Sequence, residues 1–155
     1  MKKLILFLVL ISSTTYAKSI ELSGFGLGAM IGDPTAISFK GYLGNNHYVD
    51  GALGYNTGYA DALYLHGDYL IEKPDFFKIK SEYFNLYYGI GGRGYWEDTK
   101  KHKNEFHLGV RAPVGVSYYF KDPSLELFGE ISGIMEFVPD TTADIDLSLG
   151  VRYWF

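Results

Sequence analysis

The sequence predicts an all-β fold, an eight-stranded antiparallel up-and-down barrel, on three observations. Eight segments alternate apolar and polar residues with period two, as extended strands do when successive side chains point to opposite faces. Short clusters of Gly, Pro, Asn, Asp and Ser separate them, which is hairpin punctuation. One face of every segment carries no charge, although 21% of all residues are charged.

The first strand sets Phe25, Leu27, Ala29 and Ile31 against Gly26, Gly28 and Met30, and Gly32-Asp33-Pro34-Thr35 turns the chain. Proline presets φ there and aspartate bonds its own backbone. The second sets Ile37, Phe39, Gly41 and Leu43 against Ser38, Lys40 and Tyr42, before a turn at Gly44-Asn45-Asn46-His47. The third sets Val49, Gly51, Leu53 and Tyr55 against Asp50, Ala52 and Gly54, and a loop follows over 56–61. The fourth sets Leu63, Leu65, Gly67, Tyr69 and Ile71 against Tyr64, His66 and Asp68. Residues 72–81 contain Pro74 and read as a longer turn.

In the fifth strand Phe84, Leu86, Tyr88, Ile90 and Trp96 oppose Asn85, Tyr87, Arg93 and Tyr95, and residues 97–105 form a charged loop. The sixth runs Phe106, Leu108, Val110, Ala112, Val114, Val116, Tyr118 and Phe120 against His107, Arg111, Pro113, Ser117 and Tyr119. Pro113 lacks the N–H that a closed sheet uses, so a bulge or local irregularity is expected there. After Lys121-Asp122-Pro123-Ser124, the seventh strand sets Leu125, Leu127, Gly129, Ile131, Gly133, Met135 and Phe137 against Glu126, Glu130, Ser132 and Glu136. A turn over 138–142 leads to the eighth, with Ala143, Ile145, Leu147, Leu149, Val151, Tyr153 and Phe155 against Asp144, Asp146, Ser148, Gly150, Arg152 and Trp154.

Alternation does not say which face is inside, but volume does. The apolar sets include Phe25, Phe39, Tyr55, Tyr69, Phe84, Tyr88, Trp96, Phe106, Tyr118, Phe120, Phe137, Tyr153 and Phe155, more rings than an eight-stranded barrel holds. They therefore face outward, and the fold class becomes a transmembrane β-barrel with a polar, filled lumen. The rings gather at strand ends, Tyr55, Trp96, Phe106 and Phe137 at one rim and Tyr69, Phe84, Tyr118, Phe120, Tyr153 and Phe155 at the other. Two aromatic girdles around an apolar band suit a bilayer, where every backbone group must pair between strands. A soluble barrel with its apolar face inward is the alternative fold.

The ladder Leu149, Val151, Tyr153, Phe155 ending on a C-terminal Phe resembles the terminal strand recognised by the outer-membrane assembly machinery of Gram-negative bacteria. In strand number and size the chain resembles the small OmpA-like and OmpX-like barrels. The opening hairpin around Gly32-Asp33-Pro34-Thr35 also resembles that of short, uncharacterised outer-membrane proteins. The resemblance implies an integral protein of the bacterial outer membrane whose partners are membrane lipid, lipopolysaccharide and, during biogenesis, the assembly machinery. It implies a monomer with no cofactor.

Residues 1–17 read as a cleaved signal peptide: Lys2 and Lys3, an apolar run over 4–11, then Ala17 before the cut. That run is shorter than the roughly 20 residues a helical span needs. Residues 18–155 are one barrel domain. With 18 acidic against 14 basic side chains, nucleic acid is not an expected partner. With no cysteine there is neither a disulfide framework nor thiolate chemistry.

The inward charges Lys40, Arg93, Arg111, Arg152, Glu126, Glu130, Glu136, Asp144 and Asp146 are the candidate site, expected to pair across the lumen and plug it. Breaking such a pair would open a narrow channel, the first functional alternative. The second is a lipid A-modifying enzyme, since barrel deacylases use His and Ser near the outer leaflet. Against it, His66 and His107 fall on the lumen face, His47 in a turn and His102 in a loop, and no His-x-Ser-Asn occurs. Gly89-Ile90-Gly91-Gly92-Arg93-Gly94 spells GxGxxG without the helix a dinucleotide site needs, and reads instead as relief of crowding in a curved strand. Asp140, Asp144 and Asp146 read as a solvated acidic rim before a calcium site. Lys100, Lys101 and Lys103 read first as part of a solvated loop, with contact to lipopolysaccharide phosphates as the alternative. The expected role is structural or surface-interactive, without catalysis.

Overall fold

The computed structural model describes residues 24–56, 61–98 and 105–155. Its elements are β1 (Phe25–Gly32), β2 (Ala36–Gly44), β3 (His47–Asn56), β4 (Asp61–Ile79), β5 (Glu82–Asp98), β6 (Glu105–Phe120), β7 (Leu125–Val138) and β8 (Thr142–Trp154). Each strand pairs antiparallel with the next, and β8 pairs with β1, so the sheet closes on itself. There is no helix among the described residues.

Closure follows from matched seams. Gly26 lies opposite Trp154, Ala29 opposite Val151 and Gly32 opposite Ser148. At the two ends of the seam the Asp33 N–H donates to the Leu147 carbonyl at 3.0 Å and the Phe155 N–H to the Phe25 carbonyl at 2.9 Å. A sheet joined in this way leaves no edge along the seam. Between β2 and β3 the turn contracts to Asn45 and Asn46, with φ of 51° and 63°, the positive values that a tight two-residue hairpin requires and asparagine tolerates.

The two faces separate as the alternation predicts. Leu27, Ile37, Leu53, Leu65, Ile90, Val114, Ile131 and Leu147 are exposed on the outside, and none of the thirteen rings named above is buried. The inside holds Lys40, Asp50, Arg111, Glu126 and Arg152, all almost completely shielded. Among the described residues the buried aromatic side chains in that space are Tyr48, Tyr64, Tyr87, Tyr119, Phe128 and Trp154, with Tyr42 packed against them. Trp154 lies over Gly26, where an added Cβ would come within 2.9 Å of the indole, so the seam glycine makes room for the ring.

Several boundaries differ from the sequence expectation. Residues 72–81 are not a long turn: β4 continues to Ile79 and only Lys80 and Ser81 separate it from β5. Proline is tolerated because β3 starts at His47, opposite Ile71, so the outer edge of β4 beyond that point has no strand partner to lose. The β4–β5 register shifts between Lys73 and Phe77, around Pro74. Val138 belongs to β7 and Thr142 to β8, while Glu97, Asp98 and Glu105 belong to strands. No bulge occurs at Pro113, which pairs with Ser132 of β7 in unbroken register. The local irregularity expected there is instead a gap in pairing with β5, which skips Ala112 and Pro113 and resumes unshifted at Gly91–Arg111, whereas the β6–β7 register shifts between Leu108 and Gly109, with Phe137 of β7 the extra residue.

Candidate functional site

Period-two alternation sends every second side chain into a narrow closed space, and there the charges pair in three tiers. The tier nearest the chain ends is centred on Lys40 of β2. Its ammonium donates to Glu72 at 2.8 Å, to Glu126 at 2.9 Å and to the Tyr119 hydroxyl at 2.9 Å. The same ammonium lies 4.5 Å from the centre of the Tyr48 ring. Glu72 also accepts from Asn85 at 2.8 Å, and Glu126 from the Trp154 indole N–H at 3.0 Å. Arg152 of β8 joins from above, donating to Glu126 at 3.3 Å, Asp50 at 3.1 Å and Ser38 at 3.0 Å, with its guanidinium 3.8 Å over Phe128.

The middle tier is built on Arg111 of β6. It pairs with Glu130 and, at 3.1 Å, with Asp68. It donates to Ser132 at 2.6 Å, the Tyr64 hydroxyl at 3.0 Å and His66 Nδ1 at 2.7 Å. Tyr87 donates to Glu130 at 3.0 Å. In the tier nearest the loops, Arg93 of β5 pairs with Glu136, with Asp146 at 3.2 Å and with Asp144 at 3.7 Å. His107 lies 3.2 Å from Glu136.

Thus each of the nine inward charges named from the sequence lies in one of these tiers. Sequence reasoning missed Glu72, assigned to a turn, and left Asp50 and Asp68 on the inner face without partners. The usable signal for Glu72 was parity: alternation from Tyr64, His66 and Asp68 points it inward. His66 and His107 face the lumen, while His47 opens β3 and meets the Tyr69 hydroxyl at 2.6 Å. Asp144 lies at the rim with its side chain 60% exposed, and Asp140 is exposed. Lys100, Lys101, His102 and Lys103 fall outside the described residues. Leu149, Val151, Tyr153 and Phe155 are all exposed on the outer face.

Asp50, His66 and Asp68 bring three ligand-type atoms within 4.8 Å of one another. Two guanidinium groups already supply the positive charge there, Arg152 to Asp50 and Arg111 to Asp68. Arginine only donates, so His66 Nδ1 accepts from Arg111 and the neutral ring carries its hydrogen on Nε2, the atom a metal would need free. The arrangement suits ion pairs better than a metal. The GxGxxG glycines have a steric account: a Cβ at Gly91 would collide with the Asp68 carboxylate, and one at Gly89 with the Tyr69 carbonyl.

Compared with known proteins, the chain matches no family model, no curated protein and no solved structure.

Proposed function

We propose that the chain is an integral β-barrel of a bacterial outer membrane with a structural or surface-interactive, non-enzymatic role. One observation carries the reading: the polarity of the barrel is inverted relative to a protein made for water. Leu147, Leu149, Ile131, Ile90 and Ile37 are each at least half exposed, while Lys40, Arg111 and Arg152 are at most 2% exposed. Water would penalise such a continuous apolar exterior, and hydrocarbon favours it. The aromatic clusters at each rim, Trp96 with Phe106 at 4.8 Å and Tyr118 with Phe120 at 4.7 Å, suit the two interfaces. The outer face of β8 suits recognition by the assembly machinery, and Lys100, Lys101 and Lys103 suit lipopolysaccharide phosphates.

The filled lumen argues for a plug before a pore. Among the described residues His47, His66 and His107 are bonded to tyrosine, arginine or glutamate side chains, which lends no support to the lipid-modifying reading. The test is to refold residues 18–155 in detergent and compare migration in dodecyl sulfate with and without boiling. A boiling-dependent shift is expected; a chain that stays soluble without detergent and shows no shift would overturn the reading.

A further inference from the structure

The β4–β5 hairpin outruns its neighbours at the rim that carries the chain ends. Beyond Ile71 and its partner His47, β4 pairs with β5 alone, through Phe77–Phe84, Lys78–Tyr83 and Ile79–Glu82. This projecting end is not a polar tip. Phe76 is 59% exposed and Ile79 54%, both in the last residues of β4 beside the Lys80–Ser81 turn. Its rings continue the outer girdle without a break: Phe76 meets Phe77 at 6.4 Å, Phe77 stacks on Phe84 at 5.2 Å, and Phe84 meets Tyr118 at 5.2 Å.

Its charge is opposite to that of the chain. Lys73, Lys78 and Lys80 are exposed on the projection with Asp75 as the one acid among residues 73–81, whereas the whole chain is formally −4. Glu82, next along, is engaged by the Tyr118 hydroxyl. The Lys78 ammonium lies 4.8 Å from the centre of the Tyr83 ring. Rings set among lysines match the boundary where acyl chains meet anionic phosphates.

Resting on the membrane reading above, we infer that this hairpin is an interfacial anchor that docks on anionic phospholipid headgroups of the leaflet at the chain-end rim. Rings enter the headgroup boundary and the three lysines take the phosphates. The hairpin thereby fixes the depth and tilt of the barrel.

The test places single reporters in the full barrel with Trp96→Phe as background, Trp154 being enclosed in the lumen. Phe76→Trp reports the hairpin and Ile131→Trp the belt, in vesicles of brominated phosphatidylcholine with or without phosphatidylglycerol. Both reporters should lose emission to bromine. The Phe76→Trp signal should fall further and shift to the blue with phosphatidylglycerol, and Lys73→Gln, Lys78→Gln and Lys80→Gln together should abolish that dependence without altering the Ile131→Trp signal. An unquenched Phe76→Trp beside a quenched Ile131→Trp would overturn the anchor and leave the membrane reading standing. Quenching indifferent to phosphatidylglycerol would overturn the anionic recognition. Neither reporter quenched would overturn the membrane reading itself.

Discussion

The two ends of the lumen use one chemistry, a cation facing carboxylates, yet differ in how much water reaches them. At the chain end Lys40 and Glu126 have fully shielded side chains and Glu72 is 3% exposed. At the loop end Arg93 and Glu136 are each 11% exposed and Asp144 is 60% exposed. The difference comes from the walls. Tyr48, Tyr119, Phe128 and Trp154 line the chain end with rings, whereas at the loop end the Asp144 side chain is exposed. Burial makes a missing partner costly, so the same substitution should weigh differently at the two ends.

The largest effect is expected for Lys40→Met, which leaves Glu72 without a cation and Glu126 with Arg152 alone. It should cost about 3–5 kcal/mol in urea unfolding of the refolded barrel. Adding Glu72→Gln and Glu126→Gln to Lys40→Met should recover part of that loss, because the cost lies in the unpaired charges. If the triple variant were no more stable than Lys40→Met, the lost contacts of the lysine stem would be the cause instead. Arg93→Gln in the loop-end tier should cost less, about 1–3 kcal/mol by the same titration, since Asp144 is exposed and Glu136 keeps partial access to water, while Asp146 stays enclosed. Equal losses from Lys40→Met and Arg93→Gln would erase the distinction between sealed and open ends.

A conductance measurement sharpens it further. Arg93→Ala should leave bilayer conductance at baseline because the Lys40 and Arg111 tiers still fill the lumen. A conducting Arg93→Ala barrel would show that those tiers do not seal. The smallest effect is expected for Asp144→Asn, within about 0.5 kcal/mol, as exposed pairs contribute little.

Much of this architecture is legible before any coordinates. Parity along β7 and β8 separates Glu126, Glu130, Asp146 and Arg152 from Leu127, Ile131, Leu147 and Val151, and the structure keeps every one on its assigned face. Where the reading failed, a local rule was outvoted. Pro74 signals a turn, but beyond the rim β4 needs no N–H toward β3, so the strand runs on to Ile79. At Pro113 the expected local irregularity is present, as a two-residue gap in pairing to β5 and not as a bulge.

The sequence by itself determined the strand number, the two faces and the inward charges except Glu72, because period two and turn chemistry act over neighbouring residues. Only the tertiary structure decided which charges meet. Arg152 reaches Ser38 across 114 residues and Asp50 across 102, and Lys40 reaches Glu126 across 86. Those encounters depend on the register of eight strands and on closure between β1 and β8, and no local pattern encodes that register. The sealing of one end is likewise collective, since it needs rings from β3, β6, β7 and β8 together. Alternation assigns a side chain to the lumen; the closed sheet sets its depth, its partner and its access to water.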